Sequence, residues 1–236
     1  MASSRATRSG RPAQLTDTRA VARHKQQAAR AAAELAGDGM RIGLGTGTTV
    51  SYLLPALAER GLERIRWVAS SPATERAARS LGLAIVALED VGELDLYIDG
   101  ADQIDPAGWL VKGGGGAHTR EKILAAAAQR FVVIASAEKA VPSLAPPVPL
   151  ELVRFGVSST LRLLGDARVR DVPESPDGGV IADYYGAVGE PAKLAARLSA
   201  TPGVVEHGLF APQLVSEILI AGEEGVERRV GGKRKG

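Results

Sequence analysis

Cysteine is absent from all 236 residues, which excludes disulfides and thiolate metal sites outright. Aromatic residues make up only 4% of the chain, too few for the stacking platforms that hold single-stranded nucleic acids. No apolar run approaches the roughly 20 residues that a membrane-crossing helix needs. A basic body is missing too, although Lys and Arg total 29 against 27 acids. Eight of those bases lie in two acid-free stretches: Arg5, Arg8 and Arg11 within residues 1–16, and Arg228, Arg229, Lys233, Arg234 and Lys235 within residues 228–236. The 21 that remain face all 27 acids, so the body is formally −6 and presents no basic nucleic-acid face. Neither nucleic acid nor membrane is expected as a partner. MASSRATRSGRPAQ has the Ser and Arg content of a transit peptide, but Gly10 and Pro12 would break an amphipathic helix. Residues 1–18 read as a disordered tail, residues 228–236 as a basic tail, and the protein as cytoplasmic.

Between the tails, strands and helices alternate. VARHKQQAARAAAELA, VSYLLPALAER, ATERAARSLG and TREKILAAAAQR read as helices; MRIGLG, IRWVAS, AIVAL, LDLYID, WLVK and FVVIA read as strands. That rhythm predicts an α/β fold, a doubly wound, mainly parallel sheet with helices on both faces. After the proline-rich VPSLAPPVPL the order becomes strand, helix, strand, strand, helix, strand, through PLELV, SSTLRLLG, ARVRDV, GGVIADYY, PAKLAARLS and GVVEHGL. This is the βαββαβ order of a ferredoxin-like unit. A Rossmann-like α/β domain over 19–148 and 209–227 is therefore expected to carry a small α+β insert over 149–208, with LVSEILIAG returning to the first sheet.

Chemistry-bearing residues concentrate at two places. RIGLGTGTTV sets Gly43, Gly45 and Gly47 between a strand and a helix, followed by Thr48 and Thr49. Free N–H groups, the helix dipole and the threonine hydroxyls suit an anion, while a tight turn of small residues explains the same letters. It lacks the Gly-Lys-Ser/Thr of a nucleotide-triphosphate loop. The second place is YIDGADQIDPAGWLVKGGGGAHTREKILA, residues 97–125. Asp99 and Asp102 fall at a strand's C-terminal end, where open α/β sheets bind ligands. Either a cation, a helix cap or an Asx turn would use them. Lys112 and four consecutive glycines follow, able to bring backbone N–H groups close to a small polar ligand or to serve as a flexible loop. Glu121 sits in the first turn of a helix that Thr119 is expected to cap, where acids are routine dipole partners. The helix terminus lowers its pKa and burial raises it, and the sequence leaves that balance open. His24, His118 and His207 show no ligand spacing, and His118 reads as a loop residue.

GTGTT, YIDGADQID and KGGGGAHTREKILA resemble, in order and spacing, the signature segments of type A ribose-5-phosphate isomerases. The resemblance extends through SSPATE, SAEKAV, FGVSSTLRLLG and PGVVEHGLF and spans roughly residues 19–225. It implies interconversion of ribose 5-phosphate and ribulose 5-phosphate through an enediolate, with no metal and no redox cofactor. Glu121 would be the base, Asp99 would assist ring opening, and Asp102 and Lys112 would manage protons and charge at O1 and O2. The sugar would lie against Gly100, Ala101, Gly113, Gly114 and Gly115, and the phosphate against Thr46, Gly47, Thr48 and Thr49, helped by Lys139 of SAEKAV; Lys25 is added only on its distance from the glycine loop. A homodimer or homotetramer is implied, with a small-molecule substrate as the other partner. Gln103 and His118 depart from the family pattern, which commonly has Glu and an apolar residue there. An amino-sugar phosphate deaminase and a sugar-phosphate sensor of a transcription regulator are rival readings, though the short basic N-terminus offers a sensor no helix-turn-helix.

Overall fold

The computed structural model describes residues 18–232. The expected N-terminal tail lies outside these residues except for Thr18, which opens a helix. In chain order the first part contains α1 (Thr18–Ala33), β1 (Arg41–Leu44), α2 (Val50–Ala58), β2 (Arg66–Ala69), α3 (Pro72–Ser80) and β3 (Leu94–Gly100). It continues with β4 (Gln103–Ile104), β5 (Leu110–Val111), α4 (His118–Ala127) and β6 (Ala128–Ser136). The insert follows as β7 (Val148–Leu152), α5 (Val157–Leu164), β8 (Ala167–Val169), β9 (Val180–Tyr184), α6 (Pro191–Ser199) and β10 (Val204–His207). The chain then returns through β11 (Leu209–Phe210), β12 (Glu217–Gly222) and β13 (Gly225–Val230).

Six strands form the central sheet in the order β13-β12-β6-β3-β1-β2, parallel throughout except for the final hairpin. Its strands are apolar on both faces because both are covered. Ile98, Val132 and Ile134 pack under Ala28, Ala29 and Ala32 of α1 and Leu53 and Leu57 of α2. Their neighbours along the strands, Tyr97, Phe131 and Val133, face the other way against Leu124 of α4 and Phe210. This period-two division is what alternating side chains on a pleated strand require. Each fully buried side chain of this kind contributes about 1.5–3 kcal/mol. The alanines of α1 let that helix lie close on the sheet. Ser71 caps α3 by accepting from the Thr74 N–H, with Pro72 at the first helical position.

The insert is a four-stranded antiparallel sheet in the order β10-β7-β9-β8, the ferredoxin-like arrangement. Between the two sheets, β4, β5 and β11 form a third, small antiparallel sheet. WLVK thus supplies a strand, but to this small sheet and not the large one.

Four expectations need correction. AIVAL forms no strand: Ile85 makes one bridge to Trp67, and a short 3-10 turn follows at Leu88–Asp90. The helix read through Arg130 stops at Ala127, because Ala128 already pairs with Leu94 in the sheet. The α/β domain reaches Val230, past the expected limit of 227. Arg228 and Arg229 consequently lie in β13, paired with Glu217 at 2.6 Å and Glu227 at 2.7 Å, and are no tail. His118 is the first residue of α4 and wholly buried, not a loop residue. Among the described residues, no helix is long and apolar enough to cross a membrane.

Candidate active site

The central sheet changes direction between β1 and β3: the chain leaves β1 for β2 on one side and continues at β3 on the other. Ligands of open α/β sheets bind at such a switch point, outside the strands' C-terminal ends. The loop after β1 and Asp99 near the end of β3 meet there. The approach is so close that a Cβ on Gly45 would fall inside the Asp99 carboxylate. Glycine at 45 is thus demanded by packing.

Asp99 is fully buried and surrounded by donors. Its Oδ1 accepts from the N–H groups of Thr46 at 3.1 Å and Gly100 at 2.7 Å. Its Oδ2 accepts from the Tyr97 hydroxyl and from Lys112 Nζ, the latter at 2.7 Å. Lys112, just beyond β5, also donates to the Gly100 carbonyl at 2.7 Å and lies 3.1 Å from Glu121 Oε2. Its own N–H bonds to the Gly208 carbonyl, so the small sheet aims the side chain into the site. Burial works against the charge of Lys112, yet Asp99 and Glu121 hold its pKa above the ordinary lysine value.

Glu121 is 3% exposed, in the first turn of α4. Burial, reinforced by the Asp99 charge and opposed by Lys112, raises its pKa to about 8. The balance left open by the sequence falls on the side of burial. One lysine between two buried acids is a charge-poor arrangement, and the extra negative charge destabilises ionised Glu121. A carboxyl poised near neutrality, a fixed ammonium beside it and a ring of backbone N–H groups can remove a proton next to a carbonyl and steady the resulting oxyanion.

Asp102 is exposed, with Oδ2 accepting from the Gly114 N–H at 2.9 Å. Gly113 adopts φ +105°, and a Cβ there would collide with His118 and Pro149. His118 therefore floors the glycine loop. Burial and the charges of Lys122 and Arg170 push its pKa down to about 3, so it is neutral. Thr119 does not cap α4. Its hydroxyl instead donates to Glu151 of β7, which also accepts from Ser175. Gln103, the other departure from the family pattern, exchanges two 2.8 Å hydrogen bonds with the backbone of Ala145. An amide can both donate and accept there; a carboxylate could not.

The loop after β1 leaves some of its candidate donors free and turns another inward. The N–H groups of Gly47, Thr48 and Thr49 have no acceptor within the described residues, as befits the start of α2. Lys25 of α1 reaches the loop, Nζ to Thr48 Oγ1 at 2.8 Å. The Thr46 hydroxyl, however, turns inward to Ser70, Ser71 and Thr74 at 2.7–3.2 Å. It braces the loop and is not a free donor. Lys139 lies in the 3-10 turn after β6, at the same sheet edge, with no hydrogen bond to the loop. Gly100 and Ala101 lead from β3 into the Asp102 turn.

Sequence reasoning missed several contributors. Tyr97 is two residues before Asp99 and so on the same strand face, a readable signal. Ser70, Ser71 and Thr74 sat in SSPATE without a role. Arg170 of the insert, which reaches the glycine loop, and Asp183, which anchors it, carry no local signal at all.

A family model described as ribose 5-phosphate isomerase A (phosphoriboisomerase A) matches residues 66–225. The ribose-5-phosphate isomerase A of Caulobacter vibrioides (strain NA1000 / CB15N) is 46% identical over 219 residues, covering 86% of this chain and 96% of its own. Ribose 5-phosphate isomerase A from Neisseria gonorrhoeae superposes with a TM-score of 0.84 at 32% identity, over 89% of this chain and 97% of that one. A D-ribose-5-phosphate isomerase solved in complex with phospho-erythronic acid gives the same TM-score and identity, over 89% and 99%.

Proposed function

The chain belongs to the ribose 5-phosphate isomerase A family and is an isomerase of ribose 5-phosphate, and from that premise we propose that it forms ribulose 5-phosphate through an enediolate with Glu121 as the base. The observation that carries this reading is Glu121 itself: buried, 3.1 Å from Lys112 Nζ, with its pKa raised to about 8. In the open-chain sugar the Glu121 carboxylate takes the C2 proton. The C2–H electrons form the C1–C2 double bond and the former carbonyl electrons settle on O1. The same carboxyl returns the proton to C1 while the O2 hydroxyl loses its own, leaving the carbonyl at C2. One proton is removed from carbon and one restored, so no redox partner enters the balance.

Lys112 Nζ and the N–H groups of the glycine loop are the donors that steady the enediolate oxygens. Asp102, exposed beside that loop, is suited to moving the proton between O1 and O2. Asp99 holds Lys112 in place. The ring-opening role implied for it requires one of its four donors to give way to the sugar. The phosphate is assigned to the N–H groups of Gly47, Thr48 and Thr49 with Lys25, and Lys139 as a further cation at that edge. Thr46 supports the loop from behind.

The test is an assay of ketose formation from ribose 5-phosphate by absorbance, with chelator present. Glu121→Gln is expected to fold and to lose activity by about 10²- to 10⁴-fold, the range of general acid–base catalysis. A variant within a few-fold of wild type would remove Glu121 from the mechanism.

A further inference from the structure

Arg170 follows β8 of the insert, 49 residues beyond Glu121 in the chain. Its Nε bonds to Asp183 Oδ2 at 2.8 Å and its Nη2 to Asp183 Oδ1, a fork-on-fork pair that fixes the guanidinium plane. Asp183 lies on β9 and is 5% exposed, so the anchor is rigid. The remaining nitrogen, Nη1, donates to the carbonyls of Gly113 at 3.1 Å and Gly114 at 3.0 Å. The insert therefore grips the glycine loop through one side chain.

That grip has a directional consequence. In a trans peptide the C=O and the following N–H point in opposite directions. With the Gly113 carbonyl turned to Arg170, the Gly114 N–H faces away, and it meets Asp102 at 2.9 Å. With the Gly114 carbonyl also turned to Arg170, the Gly115 N–H points away from the insert. Gly115 borders Thr46, and its N–H has no acceptor within the described residues. Glycines hold no preferred peptide orientation of their own, so an external clamp must choose one.

We infer that Arg170 is a positioning residue for the isomerisation: anchored by Asp183, it sets the peptide planes of the glycine loop so that the Gly115 N–H serves as a donor to the reacting end of the sugar. The inference rests on the isomerase reading. It assigns the insert domain a part in catalysis, by means of a residue that touches neither Glu121 nor Lys112.

The test compares wild type with Arg170→Lys and Arg170→Ala, and uses Arg168→Ala as a control that removes the same charge from an exposed neighbouring position. Lysine keeps a cation for Asp183 but lacks the fork needed to hold the carboxylate and two carbonyls together. Arg170→Lys is therefore expected to stay folded and to lose about 10- to 100-fold in kcat, as small misplacements of catalytic donors do. KM should change much less. Affinity for inorganic phosphate, which reads the Gly47–Thr49 loop, should be unchanged, whereas affinity for phospho-erythronic acid should fall about tenfold or more, as for a lost donor. Arg170→Ala should show the same pattern, more strongly, and Arg168→Ala should match wild type. Arg170→Lys within twofold of wild type in kcat would overturn the role. So would an activity loss matched by an equal loss of phosphate affinity, which would mean general collapse of the site. Active wild type beside an undiminished Arg170→Lys overturns only the positioning role. A wild type without turnover overturns the isomerase reading, and this inference with it.

Discussion

Glu121 shows how much a single residue's surroundings decide. A glutamate in a helix first turn is ordinarily stabilised as the anion. Here burial and the Asp99 charge outweigh both that dipole and Lys112, and the carboxyl stays protonated up to a pH of about 8. As the proposed base, Glu121 must be ionised to accept the C2 proton, so kcat/KM is expected to rise with pH through a limb near 8. A pH–rate profile with its limb near an ordinary glutamate value would contradict the assignment. Linkage supplies a second readout. Between about 4.5 and 8 the folded protein binds a proton at Glu121 that the unfolded chain has released, so this group's contribution to stability falls as pH rises across that window. Urea unfolding of wild type and Glu121→Gln should therefore diverge, with the variant gaining relative stability from pH 5 to pH 8. The candidate acids, the lysine and the glycines could all be read from YIDGAD and KGGGGAHTREK. The direction of the Glu121 pKa could not, because it depends first on burial and then on Asp99 lying nearby across 22 residues of chain.

At the scale of elements, the decisive contact is the end of β1 against the end of β3. Gly45 Cα lies where any side chain would enter the Asp99 carboxylate. Gly45→Ala is expected to cost about 1–3 kcal/mol, the usual penalty of overpacking. It should also reduce turnover, since Asp99 would shift and take Lys112 with it. Urea denaturation and the isomerase assay check both; unchanged stability and rate would mean the two strand ends have slack. Helix α4 was legible from TREKILA, but its ends were not. Its expected cap, Thr119, bonds sideways to Glu151, and its last predicted residues are recruited by sheet pairing at Ala128. Strands β4 and β11, two residues each, are too short to show a period. AIVAL had the composition of a strand but lies at the β2 edge, where a single bridge, Ile85 to Trp67 with the Val86 N–H donating to the Trp67 carbonyl, is all that forms.

At the scale of the molecule, the insert domain serves as a brace. Glu151 holds Thr119, Asp177 holds Arg120, Glu206 holds Lys122, and Arg170 holds the glycine loop. The same domain exposes large apolar side chains, Phe155 at 91% and Leu163 at 62%. Burying them favours self-association, and we propose a homodimer or homotetramer. Sedimentation should give a mass of two or four chains, each of 24.5 kDa; a monomer at micromolar concentration would contradict it. The sequence by itself determined the layered α/β plan, the chain order of the insert's elements, and the positions of the candidate acids and the candidate lysine. Periodicity, turn residues and short motifs are local properties, carried by neighbours along the chain. Tertiary structure alone decided that Thr46 turns inward, that Lys112 bridges Asp99 and Glu121, and that Arg170 reaches back across 56 residues to Gly114. Those facts are distances between residues remote in sequence, and only a folded chain has them.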